Sequence, residues 1–183
     1  MYNGVPEWNN EEEMVGSTNT IYWSPDSNNF VFVAFDVTDV PLLEYSVYPD
    51  HMASSSPDES NPQDFEQYPR INSIKYAKSL GEIAKTKLYL VTDVNTPNFN
   101  KKELNKVGDA DNLKFDIGVG QDDDQENRYF TRIGWARNSD WFAMTWTSRA
   151  GTQSKTLTCK VADQSCIQNG REDGGVKGNW KGN

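Results

Sequence analysis

Short apolar and aromatic runs alternate along this chain with clusters of Asn, Asp, Ser, Pro and Gly, the punctuation of an all-β protein. Ile21-Tyr22-Trp23 is followed by the polar stretch Ser24-Pro25-Asp26-Ser27-Asn28-Asn29 and then by Phe30-Val31-Phe32-Val33-Ala34-Phe35. Proline sets φ at a turn position, and Asp, Asn and Ser side chains bond back to the backbone there. The β-branched and aromatic run after it has strand propensity, so the segment predicts a hairpin. Asp36 to Pro41 reads as another turn, Leu42 to Tyr48 as a third strand and Lys87 to Val91 as a short buried one. Leu113 to Val119 alternates and predicts a strand. Tyr129–Trp135, Trp141–Ser148 and Ser154–Val161 predict successive strands, separated by turns at Ala136–Asp140 and Arg149–Gln153.

Between these runs lie polar segments. Residues 50–69 read as a loop, with Tyr68-Pro69 opening the next element. Residues 95–112 read as an insertion with a weak helical turn over Lys101–Val107, and Gln121 to Asn127 as an acidic turn. Asp122-Asp123-Asp124 lacks the calcium-loop spacing, and a solvated loop is the better reading of such a run. From Gln168 to Asn183 the chain is rich in Gly, Asn and Lys, which predicts a domain over 1–167 and a disordered tail over 168–183.

A weak repeat sits inside this pattern. Ile21-x-Trp23-Ser24-Pro25-Asp26 and Ile133-x-Trp135-Ala136-Arg137-Asn138 each precede an aromatic strand, 112 residues apart. A Trp before a polar hairpin turn, repeated, fits the blades of a β-propeller, four-stranded sheets that cannot bury their faces alone. The expected fold class is all-β, two to three blades of an incomplete propeller of antiparallel strands.

Composition sharpens this. Hydrophobic residues make up 36% of the 183, but aromatics reach 12%, with six Trp, eight Tyr and eight Phe. Aromatics bury large areas each, and a disordered chain lacks them. The net charge of −9 argues against nucleic acid and anionic membranes and tolerates cationic ligands such as free amines. Cys159 and Cys166 read as one disulfide in an extracellular protein and as two thiols in a cytosolic one. Their spacing fits zinc poorly, and a single His leaves no Cys/His metal set. No metal or other cofactor is implied. The start lacks a basic segment and an apolar core, and no membrane span is evident; this points to a cytosolic protein or an incomplete chain.

The N-terminal stretch carries a more specific signal. Tyr2-Asn3-Gly4, Trp8, Glu11-Glu12-Glu13 and then Tyr22-Trp23-Ser24-Pro25-Asp26 stand in the order and spacing of one family. The chain resembles the dipeptidyl peptidase IV family there, and again at Asp39 to Tyr48. More loosely, the resemblance extends to Ile74–Lys78 with Lys87–Val91 and to Thr131–Trp146. It implies an eight-bladed propeller capping an α/β-hydrolase domain, of which this chain supplies two to three blades. It implies a parent serine peptidase that releases N-terminal dipeptides, is homodimeric, and is a type II plasma-membrane or shed protein. Its partners are peptides with a free N-terminus. It also implies that Cys159 and Cys166 form a disulfide closing a hairpin.

The resemblance assigns substrate binding to Glu12 and Glu13, as ligands of the peptide α-ammonium. The chemistry agrees. An enzyme that counts from the chain end must recognise the ammonium, whose ordinary pKa is about 7.7–8.0. Two carboxylates favour its charged form and accept its hydrogen bonds. Adjacent residues on a strand face opposite sides, so the pairing predicts a short helix or turn over Glu11–Val15. The competing reading is a solvated acidic first turn of a helix. Asn10 departs from the family, which has Tyr there.

The chain lacks a nucleophile elbow. Its only His, His51, lies in a polar loop beside Asp50 and reads as surface. No catalytic residue is assigned, and the chain alone is expected to be inactive. Two readings stand: a non-catalytic propeller segment of a dipeptidyl peptidase, and a stand-alone propeller-like binding module without enzymatic activity. An independent enzyme on an unrelated β fold has no visible constellation to support it.

Overall fold

The computed structural model describes residues 1–48, 68–104 and 128–173. Its strands run in chain order β1 (Tyr2–Asn3), β2 (Ile21–Trp23), β3 (Phe30–Asp36), β4 (Leu42–Val47), β5 (Arg70–Lys75), β6 (Lys85–Thr92), β7 (Asn100–Glu103), β8 (Arg128–Trp135), β9 (Trp141–Ser148), β10 (Gln153–Lys160) and β11 (Ser165–Asp173). A π-helix, Asn10–Val15, stands between β1 and β2.

Two antiparallel sheets result. In the first, β3 pairs β6 and β6 pairs β7, while β1 and β2 lie end to end along the other edge of β3. In the second, β8, β9, β10 and β11 form a meander. β4 and β5 make a separate two-stranded ribbon inserted between β3 and β6.

Alternation decides which faces meet. In β3 the side chains of Val31, Val33 and Phe35 point inward, and in β6 those of Leu88 and Leu90 do. They share one core with Phe130 of β8, Phe142, Met144 and Trp146 of β9, and Leu157 and Cys159 of β10. Each such side chain contributes roughly 1.5–3 kcal/mol when fully buried. Tyr22 meets Phe130 edge-on at 6.0 Å, and Phe130 meets Trp146 at 5.7 Å, also edge-on. The Trp135 indole N–H crosses between the sheets to the Tyr22 carbonyl at 3.0 Å.

The repeat is real in the backbone. Ser24 N–H bonds the Asn29 carbonyl at 2.9 Å, and Ala136 N–H bonds that of Trp141 at 2.8 Å. Ser27 and Ser139 occupy the same turn position in the left-handed region, with φ of 58° and 60°. The two turns also touch, because the Asp26 N–H donates to Ser139 Oγ at 3.2 Å.

Several expectations need adjustment. Lys101 to Glu103, the first residues of the expected helical turn, lie in β7 instead, because β6 offers an open edge and Lys101 pairs Val91, while residues 105–107 lie outside the described residues. The polar stretch after Ile167 continues as β11 to Asp173, held by pairing along the whole of β10. The third strand ends at Val47, and its partner β5 carried no clear hydrophobic signature. The strand expected at Leu113 to Val119, the acidic turn from Gln121 to Asn127 and residues 174–183 lie outside the described residues, as does all but the end of the 50–69 loop.

Cys159 and Cys166 face each other in register across the β10–β11 hairpin and are disulfide-bonded. The disulfide constrains the unfolded chain over a short loop, a contribution of about 2–3 kcal/mol. Replacing both with Ala is expected to lower the unfolding free energy by that amount in a denaturant titration. The native protein should release no thiol on denaturation without reductant; two titratable thiols would refute the bond.

Candidate functional site

The site is an excursion from the edge of β3. Gly4 N–H donates to the Val33 carbonyl at 2.8 Å, Thr20 N–H to the Gly4 carbonyl at 2.9 Å, and Val33 N–H to the Thr20 carbonyl at 3.1 Å. Residues 5–19 therefore leave and rejoin the sheet at one point. Glycine is required at position 4, where φ is 71° and a Cβ would stand 2.6 Å from the Ile21 side chain.

Glu7 starts the helix within this excursion. Its buried carboxylate accepts the N–H of Asn9 at 2.8 Å, the N–H of Asn10 at 3.1 Å and the side-chain amide of Asn10. These are donors that a helix start leaves without intrahelical partners, and an anion there also complements the helix dipole. Asn9 Oδ1 accepts the Ala77 N–H at 2.9 Å, and Trp8 packs on Tyr76 with ring centroids 5.1 Å apart, so the start is pinned to the segment after β5. At the far end Gly16, with φ of 65°, closes the last turn by donating to the Glu11 carbonyl at 2.9 Å.

Burial divides the helix. Asn10 is fully buried, and the helix lies along β8. The bonds from Asn10 to Glu7 make it the inward anchor of the turn. Glu12 and Glu13 are exposed. As neighbours on a helical turn they diverge by well under half a turn about the axis rather than facing opposite sides as on a strand. The expected short helix over Glu11–Val15 is thus present. Glu11 turns the other way and lines an open cavity of about 510 Å³ with Tyr2, Pro6, Trp8 and Lys75. Glu12 and Glu13 do not line it.

Two further residues were not legible as part of this site. Burial raises the Tyr129 phenol above its ordinary value of 10.0; Arg149 opposes the shift, while Glu7 and Glu13 add to it. Tyr129 and Arg149 thus share an electrostatic environment with Glu7 and Glu13. Tyr129 lies on β8 and Arg149 in the turn between β9 and β10, more than a hundred residues from the glutamates in sequence. Arg149 also donates to the Lys78 carbonyl at 3.4 Å. The disulfide belongs to the β10–β11 hairpin, and His51 lies outside the described residues.

Comparison with known proteins bears on this geometry. Residues 1–175 match the model of the dipeptidyl peptidase IV (DPP IV) N-terminal region. The chain is 32% identical over 102 residues to dipeptidyl peptidase 4 of Bos taurus, covering 55% of this chain and 12% of that protein. It is 30% identical over 91 residues to prolyl endopeptidase FAP of Homo sapiens, covering 50% of this chain and 10% of that one. Among solved structures, dipeptidyl peptidase 4 of Porphyromonas gingivalis superposes with a TM-score of 0.64 at 22% identity, over 93% of this chain and 19% of that one. The chain thus spans about a tenth of the length of these two curated relatives.

The raised Tyr129 value has a consequence for stability. A folded-state pKa above the unfolded one means the folded chain prefers the neutral phenol. That contribution is fully present below the ordinary value near 10 and is lost as pH rises through the higher folded value. Tyr22 and Tyr89 shift in the same direction, chiefly through burial. Tyr129→Phe is expected to soften the loss of stability above pH ~10, followed by denaturant unfolding at increasing pH. Tyrosinate absorbance appearing at the ordinary pH for all tyrosines of the folded chain would refute the shift.

Proposed function

The chain belongs to the dipeptidyl peptidase IV N-terminal-region family, and from that premise we propose that Glu12 and Glu13 hold the α-ammonium of a peptide substrate. On this reading the chain is the specificity half of a serine exopeptidase whose nucleophile lies in another domain of a longer polypeptide. The observation that carries it is the helix itself: two adjacent, exposed carboxylates on a turn that Glu7, Asn10 and Gly16 pin from the buried side.

A pinned turn presents both carboxylates without a further ordering cost on binding. Each charge-assisted hydrogen bond to the ammonium contributes about 1.5–3 kcal/mol. An internal stretch of peptide has no cation to offer and leaves both carboxylates unpaired, so the same pair attracts chain ends and rejects interiors. Tyr129 and Arg149 border this environment as a neutral phenol and a counter-charge. The disulfide supports an oxidising location for the propeller, on a cell surface or secreted.

The test is Glu12→Gln and Glu13→Gln, singly and together, in the full-length peptidase. Each single change is expected to lower kcat/KM for dipeptide-releasing substrates by about 10- to 150-fold. In the wild type, kcat/KM should fall as the substrate amine deprotonates above pH ~8, and the double variant should lose that alkaline limb. Unchanged kinetics in the double variant would remove the pair from the site.

A further inference from the structure

The acidic run divides its charges between two sides of the helix. Glu12 and Glu13 are exposed, while Glu11 lines the open cavity of about 510 Å³ between the helix and the β4–β5 ribbon. That cavity brings together two opposite charges that do not pair with each other. Glu11 comes from the helix, and its carboxylate has no hydrogen-bond or ion-pair partner among the described residues. Lys75 comes from β5, and its ammonium donates to two neutral carbonyls, those of Val40 at 2.8 Å and Thr38 at 3.4 Å, which leave its charge unbalanced. We propose that this cavity binds a small zwitterion, an amino acid or dipeptide with an apolar side chain, whose ammonium pairs with Glu11 and whose carboxylate pairs with Lys75.

The walls between the two charges suit an apolar side chain. Trp8 and Glu11 stand three residues apart at the helix start, the spacing that puts side chains on one face. Leu42 and Lys75 are register partners in the ribbon, and Ser73, two residues before Lys75, shares their face. Tyr2, Trp8 and Leu42 line the cavity, and all three are exposed in the chain as described. Ser73 adds a hydroxyl beside Lys75. A volume of this size, walled by apolar and aromatic side chains with a few placed polar groups, is the usual form of a small-molecule pocket.

The two sides are tied together before any ligand arrives. Glu7 holds the helix start from within, and Asn9 and Trp8 fix that start to Ala77 and Tyr76, the residues directly after Lys75. Lys75 is itself fastened to the turn before β4. Binding therefore orders little of the protein. A single charge fits the cavity less well than a pair. A plain amine leaves Lys75 unanswered, and a plain carboxylate brings a second anion into the cavity that Glu11 lines. One ligand carrying both charges answers each with a charge-assisted hydrogen bond. This inference does not depend on the role of Glu12 and Glu13.

Isothermal titration calorimetry tests it, on the full product of the gene carrying Glu12→Gln and Glu13→Gln so that the proposed ammonium anchor does not contribute. The probes are L-phenylalanine and the dipeptide leucyl-leucine, and the tighter of the two tells which length the cavity takes. Phenethylamine, which lacks the carboxylate, and N-acetyl-L-phenylalanine, which lacks the ammonium, are each expected to bind about 10- to 150-fold more weakly than phenylalanine. Glu11→Gln should weaken phenylalanine by a similar factor. Lys75 also holds a turn, so Lys75→Met is read by whether it removes the advantage of phenylalanine over phenethylamine, which a loss of packing alone would not do. Failure of both zwitterions to bind at millimolar concentration would overturn the proposal. So would phenethylamine binding as tightly as phenylalanine, unchanged affinity in Glu11→Gln, or an advantage that survives Lys75→Met. Binding present with native Glu12 and Glu13 and lost in the Gln background would move the ligand to that pair and overturn the cavity site.

Discussion

A four-stranded sheet has two faces and cannot hide either by itself. Here one face of each sheet is hidden by the other, and everything else is arranged around that contact. Val31, Val33, Leu88 and Leu90 on one side and Phe130, Phe142, Met144 and Trp146 on the other fill the space between them. The Trp135 and Ser139 hydrogen bonds set how one sheet sits on the next. Aliphatic against aromatic is a directional match. It gives each sheet a front and a back, which is what radial repetition into a propeller needs.

The acidic helix inherits its position from this arrangement. Its base is three backbone bonds on the outer edge of β3, and its flank lies along β8 of the neighbouring sheet. It therefore spans the junction between two blades without belonging to the ladder of either. Glu7 and Asn10 face inward and hold the turn; Glu12 and Glu13 face outward and bind nothing within the described chain. Charge is spent once on structure and left free twice.

How much of this was legible follows from which forces act locally. The hairpin from Ile21 to Phe35 and the three strands from Tyr129 to Val161 were readable because their alternation reports burial directly. Strands β7 and β11 were not. Asn100-Lys101-Lys102-Glu103 and the stretch after Ile167 are polar, and only the open edges of β6 and β10 make them extended. The helix over Glu11–Val15 was readable, since the role expected of Glu12 and Glu13 asks neighbouring side chains to converge, which a strand does not allow. Tyr129 and Arg149 were not, because no local pattern brings β8 and the turn after β9 to a helix more than a hundred residues upstream. The repeat looked weak as letters, since Ser24 answers to Ala136 and Pro25 to Arg137, and became strong as geometry, in matching turns and ring pairs.

On the proposed reading, one constraint links blade packing to specificity. Recognition of a chain end demands that two carboxylates stay at a fixed distance from a nucleophile carried by another domain. A loop on a single sheet would inherit all of that sheet's freedom. A helix anchored in one blade and resting on the next moves only if the blade interface moves, and that interface holds the buried hydrophobic cluster of the described chain. The large aromatic side chains at positions 130, 142 and 146 therefore act on substrate selection through rigidity, without touching substrate. A cavity-forming change at Phe130, beneath the β8 segment on which the helix rests, would be felt at Glu12 and Glu13 as lost alignment.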